Sequence, residues 1–271
     1  MGDDLASRNK EHFDQDASHH LADWAELIQA VVKEFQARRL WMSSKWTDSS
    51  GSSSGQTSVR LLDYACGSGT ASKVHSHFYW LLYPLSWRKY ANIEWALLPF
   101  VTQAVGLDIS PGMVAEYNKW AQDTGFGPEK VQAYEYDLLS EDSSKGLVGQ
   151  ISLSDFDIVI VSMALHHVSD PAKLLSRLTQ CLRKGGVCVV LDRVPESTST
   201  STPEAELSST QAQVLQTINQ FGFSEEDMRK LFCEAGLGHD VDYVLIERRF
   251  EATFMGKRLS IGGFIAKGGL V

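Results

Sequence analysis

No two of the four cysteines, Cys66, Cys181, Cys188 and Cys233, stand in a C-x-x-C pair. Scattered in this way they suggest neither a disulfide framework nor a metal site, and they fit reduced thiols in the cytoplasm. Basic residues are also in short supply. Against 34 Asp and Glu there are only 25 Lys and Arg, a formal net charge of -9. Sequence-independent nucleic-acid binding needs a basic face, so no nucleic-acid partner is expected. No run approaches the roughly 20 apolar residues of a membrane helix, so no membrane span is expected. Met1 to Gln15 is polar and charged, unlike a secretory signal. What is present suits a soluble chain: 271 residues, 43% hydrophobic and 22% charged, enough for one large α/β domain or two small ones with a substantial core.

Leu21, Trp24, Leu27, Ile28, Val31, Val32 and Phe35 recur at helical spacing and predict an amphipathic helix over 18–40. Ser49 to Ser58 is Ser/Gly-rich and reads as a flexible loop. Val59 to Tyr64 is a short strand running into Ala65-Cys66-Gly67-Ser68-Gly69. Three more strand-like runs, Ala104 to Asp108, Val131 to Asp137 and Phe156 to Ser162, each end on a polar or acidic residue. Helical patterns follow the first and third, at Pro111 to Gln122 and Pro171 to Arg183, and a fifth strand, Val187 to Asp192, follows Lys184-Gly185-Gly186. Such alternation predicts a parallel sheet covered on both faces.

Residues 195–210 are Ser/Thr/Pro-rich and read as a surface loop. Ser224, with acidic Asp227 three residues on, predicts an N-cap for a helix carrying Met228, Leu231 and Phe232 and ending at Gly236. Tyr243 to Phe254 and Leu259 to Ala266 alternate as two strands would.

Chemistry concentrates at the strand tips. A strand ending in Gly67-Ser68-Gly69 lets a ligand approach the backbone, because glycine has no Cβ in the way. A dinucleotide fingerprint read from Gly67 needs Gly or Ala where Ser72 stands, and read from Ala65 it meets Thr70. A pyrophosphate-binding site is therefore disfavoured. Asp108, at the next tip, can accept both hydroxyls of a ribose lying across the strand ends. Asp137, at the tip after that, can accept from an adenine amino group while the following N–H meets the ring. Helix capping is the alternative for an acid in such a place, Asp108 before Ser110-Pro111 especially.

These segments together resemble the class I S-adenosylmethionine-dependent methyltransferases, in particular the small-molecule group similar to the ubiquinone/menaquinone-biosynthesis enzymes. The resemblance is carried by Leu61 to Gly69, Gly106 to Met113, Tyr136-Asp137-Leu138, Phe156 to Val159, Ala164 to Pro171 and Leu182 to Val187, in the family's order across 59–192. It implies an α/β fold: a Rossmann-like, doubly wound, seven-stranded sheet, mostly parallel with an antiparallel last strand, and helices on both faces. It implies cofactor contacts from Asp63, Ala65, Gly67, Gly69, Asp108, Ile109, Met113, Asp137, Leu138 and Ser162. Ala65 departs from the family's usual glycine.

It further implies an N-terminal helical lid and loop over 1–58, followed by the cofactor domain over 59–271. His19-His20 would then precede a lid helix, although surface polarity is the expected role of that pair. The reaction implied is in-line transfer of a methyl group to a small-molecule acceptor, with a base needed only where the acceptor loses a proton. His166 and His167, after the fourth strand, are the candidate catalytic pair, with loop orientation or a cofactor contact as the other role. Alternatives are a catalytically silent S-adenosylmethionine-binding regulator and a protein or RNA methyltransferase. Against the latter, Ser162-Met163-Ala164-Leu165 replaces the Asn/Asp-Pro-Pro-Tyr/Phe motif those enzymes carry.

One stretch does not fit. Gly69 and Asp108 are 39 positions apart, long for a βαβ unit. Joining Lys73 to Ala96 would restore the family's spacing, so the surplus is about 74–95, rich in Trp, Tyr and Phe. It reads as translated intron sequence, as an insertion capping the substrate pocket, or as an exposed patch for a partner or membrane surface.

Overall fold

Ile158, Val159, Ile160 and Val161 are all fully buried, because their strand has a hydrophobic layer on each face. Side chains alternate across a strand. Ile158 and Ile160 accordingly join one core with Leu27, Val31 and Phe35, while Val159 and Val161 join a second with Leu174, Leu178 and Phe232. A computed structural model, describing residues 4–47, 58–69, 97–140, 147, 151–195, 215–254 and 257–271, shows how this arises. The aromatic-rich segment 74–95 lies outside the described residues, as does nearly all of the 49–58 and 195–210 loops.

The strands are β1 (Arg60–Tyr64), β2 (Gln103–Asp108), β3 (Val131–Glu135), β4 (Phe156–Ser162), β5 (Leu182–Arg193), β6 (His239–Phe254) and β7 (Lys257–Gly269). They form one seven-stranded sheet in the order β3-β2-β1-β4-β5-β7-β6. Strands β1 to β5 run parallel to one another. Strand β7 runs antiparallel to both β5 and β6. The implied fold is therefore the observed one. Strand order reverses between β1 and β4, and in such doubly wound sheets the crevice at that switch point, beyond the carboxyl ends, is where ligands bind.

The helices are α1 (Asp4–Asp16), α2 (His20–Asp23), α3 (Ala25–Ala37), α4 (Arg39–Met42), α5 (Pro111–Asp123), α6 (Pro171–Cys181) and α7 (Glu225–Glu234). The helix expected over 18–40 is broken at Trp24 and Arg38, which leave the helical backbone at ψ 16° and 11°. Of its apolar stripe, Leu27 to Phe35 fall within α3, whereas Leu21 belongs to α2 and Trp24 stands at the break between them. A preceding helix, α1, carries too few apolar residues for its periodicity to show. It is held by polar contacts: Lys10 pairs with Glu135, and Asp14 accepts from the Gly112 amide.

Strand β3 stops at Glu135, so Asp137 stands in the following loop rather than at a strand tip. Helix α6 stops at Cys181, and β5 begins at Leu182, where Leu182 pairs with Phe156. Ser224 caps α7 as its sequence predicts, in a reciprocal box with Asp227. Among the described residues no helix is long and apolar enough to cross a membrane.

Cys66, expected to be a small buried side chain, is buried against β2. A Cβ on Gly106 would come within 2.8 Å of its sulfur and 3.0 Å of the Ala133 Cβ. Gly106→Ala should consequently destabilise the fold by about 1–3 kcal/mol through overpacking. A lowered urea midpoint at unchanged slope is the expected reading, and an unchanged midpoint would show that the sulfur can swing aside.

Candidate active site

The turn after β1 is built on left-handed backbone. Ala65, Gly67 and Gly69 have φ of 52°, 51° and 104°. At Ala65 this conformation costs roughly 1–2 kcal/mol that glycine would avoid, which explains why a glycine is the commoner choice there. Among the described residues other than its chain neighbours, no atom lies within 4 Å of where a Gly67 Cβ would stand, and it is the backbone conformation that calls for glycine there. The amide of Cys66 donates to the Leu107 carbonyl, and that of Gly67 to Asp108 Oδ2 at 2.8 Å. These bonds set the turn against the end of β2.

Asp108 is buried and also accepts from the Ser110 amide at 2.9 Å. Burial pushes its carboxyl up to about 6, while the amides of Ser110, Gly67 and Ile109 oppose the rise. The capping of α5 falls to Ser110, whose hydroxyl accepts from the Met113 amide. Asp137 accepts from the Leu139 amide in its own loop. Asp63 is buried at the end of β1. At the end of β4, the hydroxyl of Ser162 is buried and has no hydrogen-bond partner among the described residues. Met163, next along, is held at φ 51°, another left-handed residue beside the same crevice.

A cavity of about 420 Å³ gathers these groups. Asp63, Ala65, Gly67, Asp108, Asp137 and Ser162 line one side of it, with Ile109 and Met113 at the start of α5. Gly69 and Leu138 do not line it. On the far side stand Trp24, Leu27, Ile28 and Val31 from α2–α3, and Leu259 and Ile261 from β7. Acidic and backbone polar groups thus occupy the β1–β4 end, and an apolar chamber opens beyond it.

Both candidate histidines reach this cavity. His166 Nδ1 lies 2.7 Å from Asp192 Oδ1, and both side chains are buried. His167 stacks on it at 4.0 Å between ring centroids. Its Nδ1 is 2.9 Å from the Thr217 carbonyl. A carbonyl only accepts, so Nδ1 carries the proton and Nε2 keeps its lone pair. Burial, with smaller contributions from the charges of His166, His12 and Arg193, holds His167 well below the usual imidazole value, so it is neutral at pH 7.

Several residues of the site give no sequence signal. Asn9 of α1 donates to the His167 carbonyl at 2.9 Å, and Phe13 meets the His167 ring edge-to-face at 5.2 Å. Asp14 Oδ1 accepts from Gly112 and from the Ser110 hydroxyl at the start of α5. Helix α1 is therefore fastened at both ends of the cavity. His20 lines it as well, so surface polarity holds for exposed His19 but not for its neighbour. Asp192 and Arg193 end β5 at the same crevice; an acid at yet another strand tip was the one available hint for Asp192. Among the described residues no group of three or more His, Cys, Asp or Glu is arranged to hold a metal.

A sheet of this order with its acidic strand tips at the switch point defines a class I S-adenosylmethionine-dependent methyltransferase. A family model described as a methyltransferase domain matches residues 17–239, and the chain belongs to that family. Among solved structures it is similar to an S-adenosylmethionine-dependent methyltransferase of Anabaena variabilis, at 15% identity, with 99% of this chain and 96% of that one covered and a TM-score of 0.60. It is also similar to magnesium protoporphyrin IX methyltransferase of Synechocystis with bound S-adenosylhomocysteine, at 14% identity, covering 99% and 100%, with a TM-score of 0.54. These likenesses concern the fold. An uncharacterized methyltransferase of Schizosaccharomyces pombe is 26% identical over 184 residues, 68% of this chain and 55% of that protein. The chain thus spans about half the length of this curated relative.

Proposed function

We propose that this methyltransferase binds S-adenosylmethionine along the β1–β4 switch point and methylates a small molecule held in the apolar chamber beyond it. The observation that carries this is the convergence of Gly67, Asp108, Asp137 and the unpartnered Ser162 hydroxyl on one wall of the cavity. The donor set fits the group. Asp108 accepts the ribose hydroxyls, Asp137 accepts from the adenine amino group, and Asp63, Ala65 and Gly67 take the amino-acid end. Ile109 and Met113 bound the nucleoside, and Ser162 supplies a hydroxyl that otherwise lacks a bond. In this reading residues 1–58 form the lid over a cofactor domain of residues 59–271. The four free thiols suit a cytoplasmic setting.

When bound, the sulfonium supplies an electrophilic methyl group. The chain's own part is to align the acceptor with it and to exclude water, which α1 to α3 do by closing the chamber. For an acceptor that must lose a proton, His167 Nε2 takes it, since that nitrogen is the unprotonated one. The Thr217 carbonyl and Asn9 fix the ring and backbone of His167 for this purpose. His166, held by Asp192, backs it.

Calorimetry with S-adenosylhomocysteine, followed by transfer of labelled methyl groups into an extracted metabolite pool, tests the proposal. Binding and labelled small molecules are expected. A folded chain that does not bind S-adenosylhomocysteine refutes it, and binding without transfer favours a silent regulator. Labelled protein in place of labelled metabolite would overturn the small-molecule acceptor alone.

A further inference from the structure

Arg193 is the last residue of β5 and lines the same cavity as His167. It is partly buried, and its Nε is shielded from solvent with no hydrogen-bond partner among the described residues. Its guanidinium lies 5.6 Å from the centroid of the Phe221 ring, which also lines the cavity. Among the described residues Arg193 makes no ion pair, although the cavity contains Asp16, Asp63, Asp108 and Asp137. Asp192, its neighbour in sequence, is engaged by His166 and by backbone amides. A guanidinium turned away from water with a donor unmatched is costly. The cost is recovered when a planar anion accepts from its fork.

We propose that Arg193 is a specificity residue, and that the methyl acceptor is a small molecule with an apolar body and a carboxylate that Arg193 pairs. This rests on the acceptor occupying the chamber described above. The apolar lining available to the body is Trp24, Leu27, Ile28 and Val31 with Leu259 and Ile261. Those six side chains offer contact to rings or aliphatic chains, and none of them carries a charge. The imidazoles of His12, His166 and His167 line the same cavity, and Arg193 lies within electrostatic reach of His167. The chain as a whole is acidic, at -9, so long-range attraction does not bring an anion here. Recognition has to come from a local cation. Arginine suits the task better than lysine, because its flat fork grips a carboxylate with two parallel bonds while Phe221 supports its face.

The test uses matched probes: benzoate, phenylacetate, trans-cinnamate and octanoate, each beside its primary amide, titrated calorimetrically into the full chain with and without S-adenosylhomocysteine. At least one acid is expected to bind about tenfold or more tighter than its amide. Arg193→Gln should remove that preference and Arg193→Lys should keep part of it. Affinity for S-adenosylhomocysteine should stay unchanged in both variants, which also shows them folded. A wild-type chain with no acid-over-amide preference in any pair overturns the proposal, as does a preference that survives Arg193→Gln. A chain that ignores S-adenosylhomocysteine yet keeps an Arg193-dependent preference refutes the cofactor reading and leaves the anion site standing.

Discussion

Asp108→Ala is expected to weaken S-adenosylhomocysteine binding by about 1–3 kcal/mol, roughly a 5- to 150-fold loss. Two effects add. The ribose hydroxyls lose a charged acceptor, and the amides of Gly67 and Ser110 lose the carboxylate that pins the turn beside β2. Asp108→Asn separates them, because its one carbonyl oxygen still accepts from an amide while the charge is gone. It should fall between wild type and alanine.

Acidity gives an independent handle. Burial places the Asp108 carboxyl at about 6, so affinity should decline as pH falls through 6 and the proton occupies an oxygen that would otherwise accept. The effect on folding has the opposite sign. A carboxyl raised from 3.8 to about 6 favours the fold below its unfolded value, and this contribution is lost as pH rises through about 6. Asp108→Asn should therefore be less penalised in stability at neutral pH than its two lost charged bonds suggest. Calorimetry across the pH range, with urea midpoints beside it, reads both. Unchanged affinity in the alanine variant would mean that the ribose is held elsewhere.

His167→Ala should lower kcat by about 10²–10⁴-fold for an acceptor that loses a proton, with little change in affinity for S-adenosylhomocysteine. The imidazole is held neutral, with Nδ1 committed to Thr217, so Nε2 is available at every pH above its depressed value. The rate should stay level from neutral pH to well below the ordinary imidazole range, and fall only there. Its depressed pKa also contributes stability that is present above 6.5 and lost as pH falls through the lower folded value. His166→Ala would act differently, leaving Asp192 buried without its partner, and should cost folding stability first. A wild-type kcat in His167→Ala would show that the acceptor carries no proton to lose.

Asp63, Gly67, Asp108 and Ser162 were readable because each sits at the end of a short apolar run, where strand, turn and helix follow one another within a few residues. For Asp137 the pattern extends the third strand two residues too far. Its strand ends at Glu135, and the polar loop beyond it continues an alternation that pairing does not. Helix α1 escaped notice for the opposite reason. Its register is set by Asp14 on the α5 terminus and Asn9 on the His167 carbonyl, a contact spanning 158 positions, and no local pattern encodes such a partner. The break at Trp24 is likewise invisible in the apolar spacing, which continues smoothly across it.

The amino-acid sequence alone determined the parallel sheet, its glycine turn and the acidic residues at its tips, since these depend on period-two burial and on neighbours close along the chain. It also carried the resemblance that names the cofactor. The tertiary structure alone decided the rest: that β7 is inserted between β5 and β6, that α1 closes the cavity, that Thr217 and Asp192 orient the two histidines, and that Arg193 lines the cavity with no ion pair among the described residues. Each of these is a long-range pairing, settled by which surfaces can be buried together rather than by the preferences of adjacent residues.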